Sequence, residues 1–231
     1  MKRFYKQVSA EQNGNAWRIL LDGRPIKTPA LVELAVPTQK LAEAMASEWA
    51  EQGDMVDVQG MHLTRLTNVA IDRTPSQRGG MIDEVVKYCE TDLLCFLAET
   101  PADLRERQIR QWRPIREWAG KQLDVVLLEV PDGLLAAPQP PASLVAAREY
   151  AGNLNDLQLT GLNFGLGLFG SALLALAVCE GHLSAQKAYA LSILDEVFQA
   201  ERWGQDDENL ARLANNRAQA RALGTFFSSF L

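Results

Sequence analysis

Histidine and cysteine are scarce in this chain, with two of the former (His62, His182) and three of the latter (Cys89, Cys95, Cys179) among 231 residues. Three thiols cannot all pair, none sits in a CxxC spacing, and their neighbours are apolar, so buried free thiols are expected and a disulfide framework is not. Two histidines supply little toward a metal site. The GxxxxGK[ST] phosphate loop, HExxH and GxSxG are all missing, which removes the commonest routes to nucleotide hydrolysis, zinc proteolysis and serine hydrolysis. A surplus of Lys and Arg is missing too. The net charge of -6 and pI of about 5.1 argue against a general nucleic-acid or anionic-membrane surface.

The most telling shortage is local. From Leu157 to Cys179 there are 23 consecutive residues without a formal charge, in a chain that is 23% charged. Such a run must be buried, in a membrane, around a dinucleotide or inside a helical body. Its apolar part, Phe164 to Cys179, reaches roughly 24 Å as a helix, short of the about 20 residues that a span requires. Gly165-x-Gly167-x-x-Gly170 spells a dinucleotide fingerprint, the basis of an alternative reading as a nucleotide-binding oxidoreductase. That motif needs a strand before it and a second parallel strand after it, and Gly181 to Arg202 reads as a polar-faced helix. The sequence favours a helix over about 161–180, apolar on every side and therefore central, with glycines marking an irregular entry or close helix contacts.

Ahead of this segment the chain is β-rich. Arg3 to Val8 and Ala16 to Leu21 read as strands around Asn13-Gly14; Asp22-Gly23 signals a type I′ hairpin into Arg24 to Thr28; Val32 to Val36 and Val56 to Val58 are further short strands. Thr38 is placed to cap a helix reaching Gln52, and Met61 to Ile71 reads as another. Thr74-Pro75-Ser76-Gln77 has the form of a capping box. Helices are then expected over about 75–98, 101–123 with a kink at Pro114, 142–155, 161–180, 184–203 and 206–222, with a hairpin at Val125 to Val130 turning on Pro131-Asp132-Gly133. The predicted class is α+β: a small antiparallel β domain with helices over residues 1–73, then a larger all-α domain over residues 74–231. No targeting segment precedes Arg3, so a cytoplasmic location is expected.

Few residues suggest chemistry. His62 lacks an evident orienting acid, and His182 follows Gly181 where a partly exposed polar residue fits. Arg107, Arg110, Arg113 and Arg116 recur every three residues, with Glu106 and Glu117 spaced to pair with them along a solvated helix face. The terminal Phe226, Phe227 and Phe230 are expected to pack. The cluster Asp195-Glu196, Glu201-Arg202-Trp203-Gly204 and Asp206-Asp207-Glu208 admits two readings. Gly204 can end a helix and the acids after it can begin the next, or Trp203 and its acidic neighbours form a protein-recognition patch.

Specific segments then carry a likeness. Phe4-Tyr5-Lys6, Trp17-x-Ile19-x-Leu21-Asp22-Gly23-Arg24-Pro25-Ile26-Lys27-Thr28-Pro29-Ala30, Glu48-Trp49-Ala50-x-Gln52, Leu63-Thr64-x-Leu66-Thr67-Asn68-x-Ala70-Ile71-Asp72, Glu90-Thr91-Asp92-Leu93-Leu94-Cys95 and the Ser171 to Val178 helix resemble the assembly chaperones for the alpha subunit of F-type ATP synthase, in their bacterial form. The likeness runs over nearly the whole chain. It departs from the family pattern at Trp112-Arg113-Pro114, where Trp-Asp-Pro is usual, and in the extra glycines ahead of Ser171. The resemblance implies a two-part α+β fold and a non-enzymatic chaperone without cofactor or metal, monomeric when free. Its partner would be free alpha subunit, and eukaryotic relatives would work in the mitochondrial matrix. It also implies partner binding by the acidic C-terminal region, for which Asp195, Glu196, Glu201, Trp203, Asp206, Asp207 and Glu208 are the candidates.

Overall fold

The computed structural model describes residues 1–130, 138–204 and 207–230. The Pro131-Asp132-Gly133 turn and Asp206 lie outside the described residues. A small N-terminal antiparallel sheet is followed by a helical region. Strands β1 (Val8–Asn13) and β2 (Ala16–Leu21) pair from Val8↔Leu21 to Asn13↔Ala16. β3 (Arg24–Pro25) pairs with β2 beyond the Asp22-Gly23 turn, where φ values of 49° and 77° match the expected type I′ geometry. β4 (Ala35–Val36) pairs with the start of β2.

Four strand expectations move, and two of them are shortenings: Arg24 to Thr28 becomes β3 and Val32 to Val36 becomes β4, with Lys27 and Glu33 left as an isolated bridge. The first strand begins at Val8, not Arg3, because residues 3–6 are occupied elsewhere: the Arg3 amide donates to the Asp54 carbonyl, and the Asp22 carboxylate takes the Lys6 and Gln7 amides. Val56 to Val58 is not a strand. Asp57 accepts from the Gln59 amide and closes a 3-10 turn over Val58–Gly60.

Helix α1 (Gln39–Ala50) starts at Thr38, whose hydroxyl accepts from the Leu41 amide, and buries Leu41, Ala42 and Met45. α2 (His62–Asp72) and α3 (Thr74–Glu90) follow with only Arg73 between them. The predicted capping box at Thr74 is not formed. Thr74 is fully buried, and its hydroxyl bonds the Val69 carbonyl and the Thr160 hydroxyl instead. A buried hydroxyl must find a partner, and the end of α2 and a neighbouring helix supply two.

The charge-free run is buried as expected, but as two helices. α6 (Asp156–Phe169) ends at Gly170, at φ 63°, and α7 (Ala172–Cys179) starts on Ser171, whose hydroxyl accepts from the Leu174 amide. All eight residues of α7 are buried. Gly165 lets α6 lie against α7, since a Cβ there would stand 3.1 Å from that of Ala175; at Gly161 it would stand 2.8 Å from the ring of Phe227. No helix among the described residues is long and apolar enough to cross a membrane. Gly165, Gly167 and Gly170 lie in and at the C-terminal end of α6, the opposite pole from the helix N-terminus a dinucleotide pyrophosphate requires.

Around this hub pack α4 (Ala102–Leu123), continuous through Pro114, and α5 (Pro141–Asn153), α8 (Ala185–Ser192), α9 (Leu194–Trp203) and α10 (Asp207–Ser228). The single helix expected over 184–203 is interrupted at Ile193. The helix expected over 75–98 ends at Glu90, where Asp92 caps a 3-10 turn over Leu93–Cys95. Among the described residues, 125–129 are not strand. The amides of Val126 and Leu128 are taken by Ser143 and Gln139, and Val130 bridges Phe96 in parallel. α10 runs six residues past its expected end, to Ser228, with Phe226 and Phe227 buried.

Candidate protein-interaction surface

Most of the distinctive sequence segments are used internally. Asp92 is fully buried, and its carboxylate accepts from the amides of Leu94 (2.9 Å) and Leu173 (2.9 Å) and from the Ser171 hydroxyl (2.8 Å). It therefore pins the turn after α3 to the start of α7. Burial pushes its carboxyl up to about 6, against the downward pull of those donors. Glu48 likewise receives the amides of Leu63 and Thr64 at the start of α2, and burial raises its pKa. Asp72, at the other end of α2, accepts from the Thr28 hydroxyl and the Ala30 amide. These carboxylates hold helix ends and turns in place.

The remaining nucleophilic candidates are equally committed. All three thiols are free, buried and shifted upward by desolvation, so they stay protonated near neutrality. His62 opens α2, and its pKa is lowered chiefly by burial. His182 stacks on Trp118 with ring centroids 4.4 Å apart. No group of three or more His, Cys, Asp or Glu among the described residues could hold a metal ion.

The predicted patch falls at the outer corner made by α9 and α10, and its members divide. Asp195, half-buried, accepts from the Gln108 side chain of α4 at 2.9 Å, and desolvation raises its pKa. Glu201 pairs with Arg107 of α4 at 2.8 Å, and neighbouring Arg202 with Asp103 at 2.6 Å while lying over the Phe198 ring. Glu196 pairs with Arg212 of α10. The arginine face of α4 is thus tied to other elements, through Arg107 to Glu201 and Arg116 to Glu129, and not through the Glu106 and Glu117 pairings expected along its own helix.

What is left open is Trp203, 74% exposed, with Asp207 and Glu208 in the exposed first turn of α10 and Leu210 one turn on. Gly204 ends α9 at φ 81°, ψ -177°, a region essentially reserved for glycine. It is not the helical left-handed turn anticipated. The chain breaks direction there and leaves the indole at the helix end.

Compared with known proteins, residues 2–120 match the family described as ATP12 chaperone protein. The chain belongs to the ATP12 chaperone family. This is the family that the LDGRPIKTPA and ETDLLC segments resemble. Among solved ATP12 relatives, the crystal structure of Atp12 from Paracoccus denitrificans is 36% identical, with a TM-score of 0.90 over 100% of this chain and 98% of that one. The Atu1473 protein of Agrobacterium tumefaciens is 34% identical, with a TM-score of 0.93 over 100% of this chain and 86% of the other. The mitochondrial protein atp12 of Schizosaccharomyces pombe is 27% identical over 96% of this chain and 83% of its own length.

Sequence reasoning missed one exposed feature of this ATP12 chain. Leu31 is 75% exposed and held at φ 66°, with Val32 also exposed, on a turn tied down by Asp72. A leucine in the left-handed region is uncommon. The only signal available beforehand was two large apolar residues directly after Thr28-Pro29-Ala30.

Proposed function

We propose that this protein is an ATP-independent assembly chaperone that binds free alpha subunit of F-type ATP synthase and keeps it competent to assemble with beta. The observation that carries this reading is full-length structural likeness, at 36% identity, to an Atp12 protein. On this reading the protein catalyses no reaction, needs no cofactor and works in the bacterial cytoplasm, as its eukaryotic relatives would in the mitochondrial matrix.

The exposed corner at the end of α9 is the contact proposed for the client. Trp203 supplies apolar area, and Asp207, Glu208 and Asp206 supply charge selectivity. Asp195, Glu196 and Glu201 already have partners in the fold, so Asp195 contributes by aiming that corner through Gln108, and Glu196 and Glu201 by exchanging their arginines when the client arrives. Co-purification with free alpha subunit tests the reading. The expected result is a stable complex, weakened by Trp203→Ala and by Glu208→Lys and formed without nucleotide; absence of a complex with the folded protein would overturn it.

A further inference from the structure

A second surface lies between α9 and α10, next to the Arg107–Glu201 pair, and its chemistry is opposite to that of the acidic corner. Between α8–α9 and α10 runs a cavity of about 410 Å³ floored by Ile193, Leu194 and Val197 and edged by Arg107, Arg217 and Arg221. It meets a second cavity of about 450 Å³, with which it shares Gln186 and Arg221 and which continues past Leu183 and Phe227. No Asp or Glu lines either cavity among the described residues. Arg107 is paired with Glu201 at one end, whereas Arg217 and Arg221 have no ion-pair partner among the described residues.

In the floor stands Tyr189, 3% exposed, whose hydroxyl has no well-formed hydrogen bond, only a loose approach by the Asn216 side chain. Asn216, Arg212, Glu196 and Arg217 are the groups near enough to influence it, the Glu196 carboxylate being itself paired with Arg212. A buried phenol of this kind normally finds a partner. Here the phenol O–H can donate to an incoming acceptor, and the open arginine forks beside it match a carboxylate.

We propose that this groove receives an amphipathic helical segment of the client polypeptide, its apolar side chains on the Ile193–Val197 floor and its carboxylates on Arg217, Arg221 and Tyr189. The groove follows α10 from Arg217 to Ser228, roughly 17 Å at helical rise, which suits about three turns of helix laid lengthwise. In a chain of net charge -6, this cationic edge selects an acidic segment and turns away basic ones. The proposal rests on the chaperone reading, and extends it from one contact corner to two of opposite charge.

Binding of purified alpha subunit to the full chain provides the test, with the Arg217→Glu/Arg221→Glu double variant and with Ala190→Trp, which blocks the groove from its exposed lip. The charge reversal should weaken binding about tenfold, with the loss shrinking at about 0.5 M salt, while Ala190→Trp should weaken it about tenfold at either salt. Both variants binding within about twofold of the parent would overturn the proposal.

If the parent does not bind alpha subunit at all, the chaperone reading fails, and a second arm decides the groove independently. The full chain is labelled with fluorotyrosine, the Tyr189 signal being identified by its loss in Tyr189→Phe. It is then titrated with a blocked helical peptide carrying leucines and glutamates on one face. A saturable shift that the glutamine counterpart does not produce supports the groove. No shift, or an equal shift from inorganic phosphate alone, overturns it.

Discussion

Asp92 and Glu201 are both acids on a helical scaffold, yet they do opposite work. Asp92 sits in the hub, out of water, where three donors converge on one carboxylate. Glu201 sits at the α9 corner with 54% of its side chain exposed and a single arginine across from it. An ion in the hub must be saturated with hydrogen bonds or it will not be tolerated, so its removal strands several buried donors. An ion at the corner is hydrated whether paired or not, so its pairing is cheap to exchange. Fold-specifying acids and exchangeable acids are thus separated by desolvation and not by residue type.

The contrast breaks most visibly if the hub carboxylate is removed. Asp92→Ala is expected to cost about 3 kcal/mol or more, since buried amide and hydroxyl donors lose their acceptor, and urea denaturation would register it. A loss below about 1 kcal/mol would mean that the hub tolerates unsatisfied donors as the surface does. The same site has a pH signature. Its carboxyl is pushed up to about 6 by burial, above an unfolded value of about 4, so the native state takes up the proton first. Wild type should therefore gain stability relative to Asp92→Asn as pH falls from about 7 to about 4, with no further gain below.

Next in size is packing within the hub. Gly161→Val pushes a side chain into the Phe226 and Phe227 rings, where a Cβ alone would already stand 2.8 Å from Phe227. A loss of about 2 kcal/mol in thermal or chemical unfolding is expected. At the corner the effects should shrink. A double-mutant cycle on Arg107 and Glu201 is expected to give a coupling of about 0.5 kcal/mol that fades with salt. Smallest of all, Trp203→Ala should change stability by less than about 0.5 kcal/mol while reducing client binding about tenfold. A large stability loss at Trp203 would turn it from a contact residue into a packing one.

Much of the fold was legible residue by residue. Thr38 capped its helix as read, because a threonine hydroxyl before an apolar-periodic segment has a local amide to accept from. Asp22-Gly23 made its turn because both positions reach positive φ cheaply. Thr74 failed as a cap because its choice of partner was tertiary: the Thr160 hydroxyl lies 86 positions away. The candidate surface was legible only as a list of residue types. Asp195, Glu201 and Glu208 look alike in sequence, and only the placement of Gln108 and Arg107 on α4 separates the acids already engaged from the exposed one beyond Trp203.

By itself the sequence determined that a charge-free segment had to be buried, that a small sheet precedes a helical body, and that family-specific segments run along the chain. These follow from hydrophobic patterning and turn chemistry, which act over a few residues. Only the tertiary structure decided that the buried segment folds back on itself at Gly170, that Asp92 joins two helix ends, and that the apolar residues of α9 floor an arginine-edged groove. Those outcomes depend on desolvation and on contacts between residues far apart in sequence, and no local pattern encodes either.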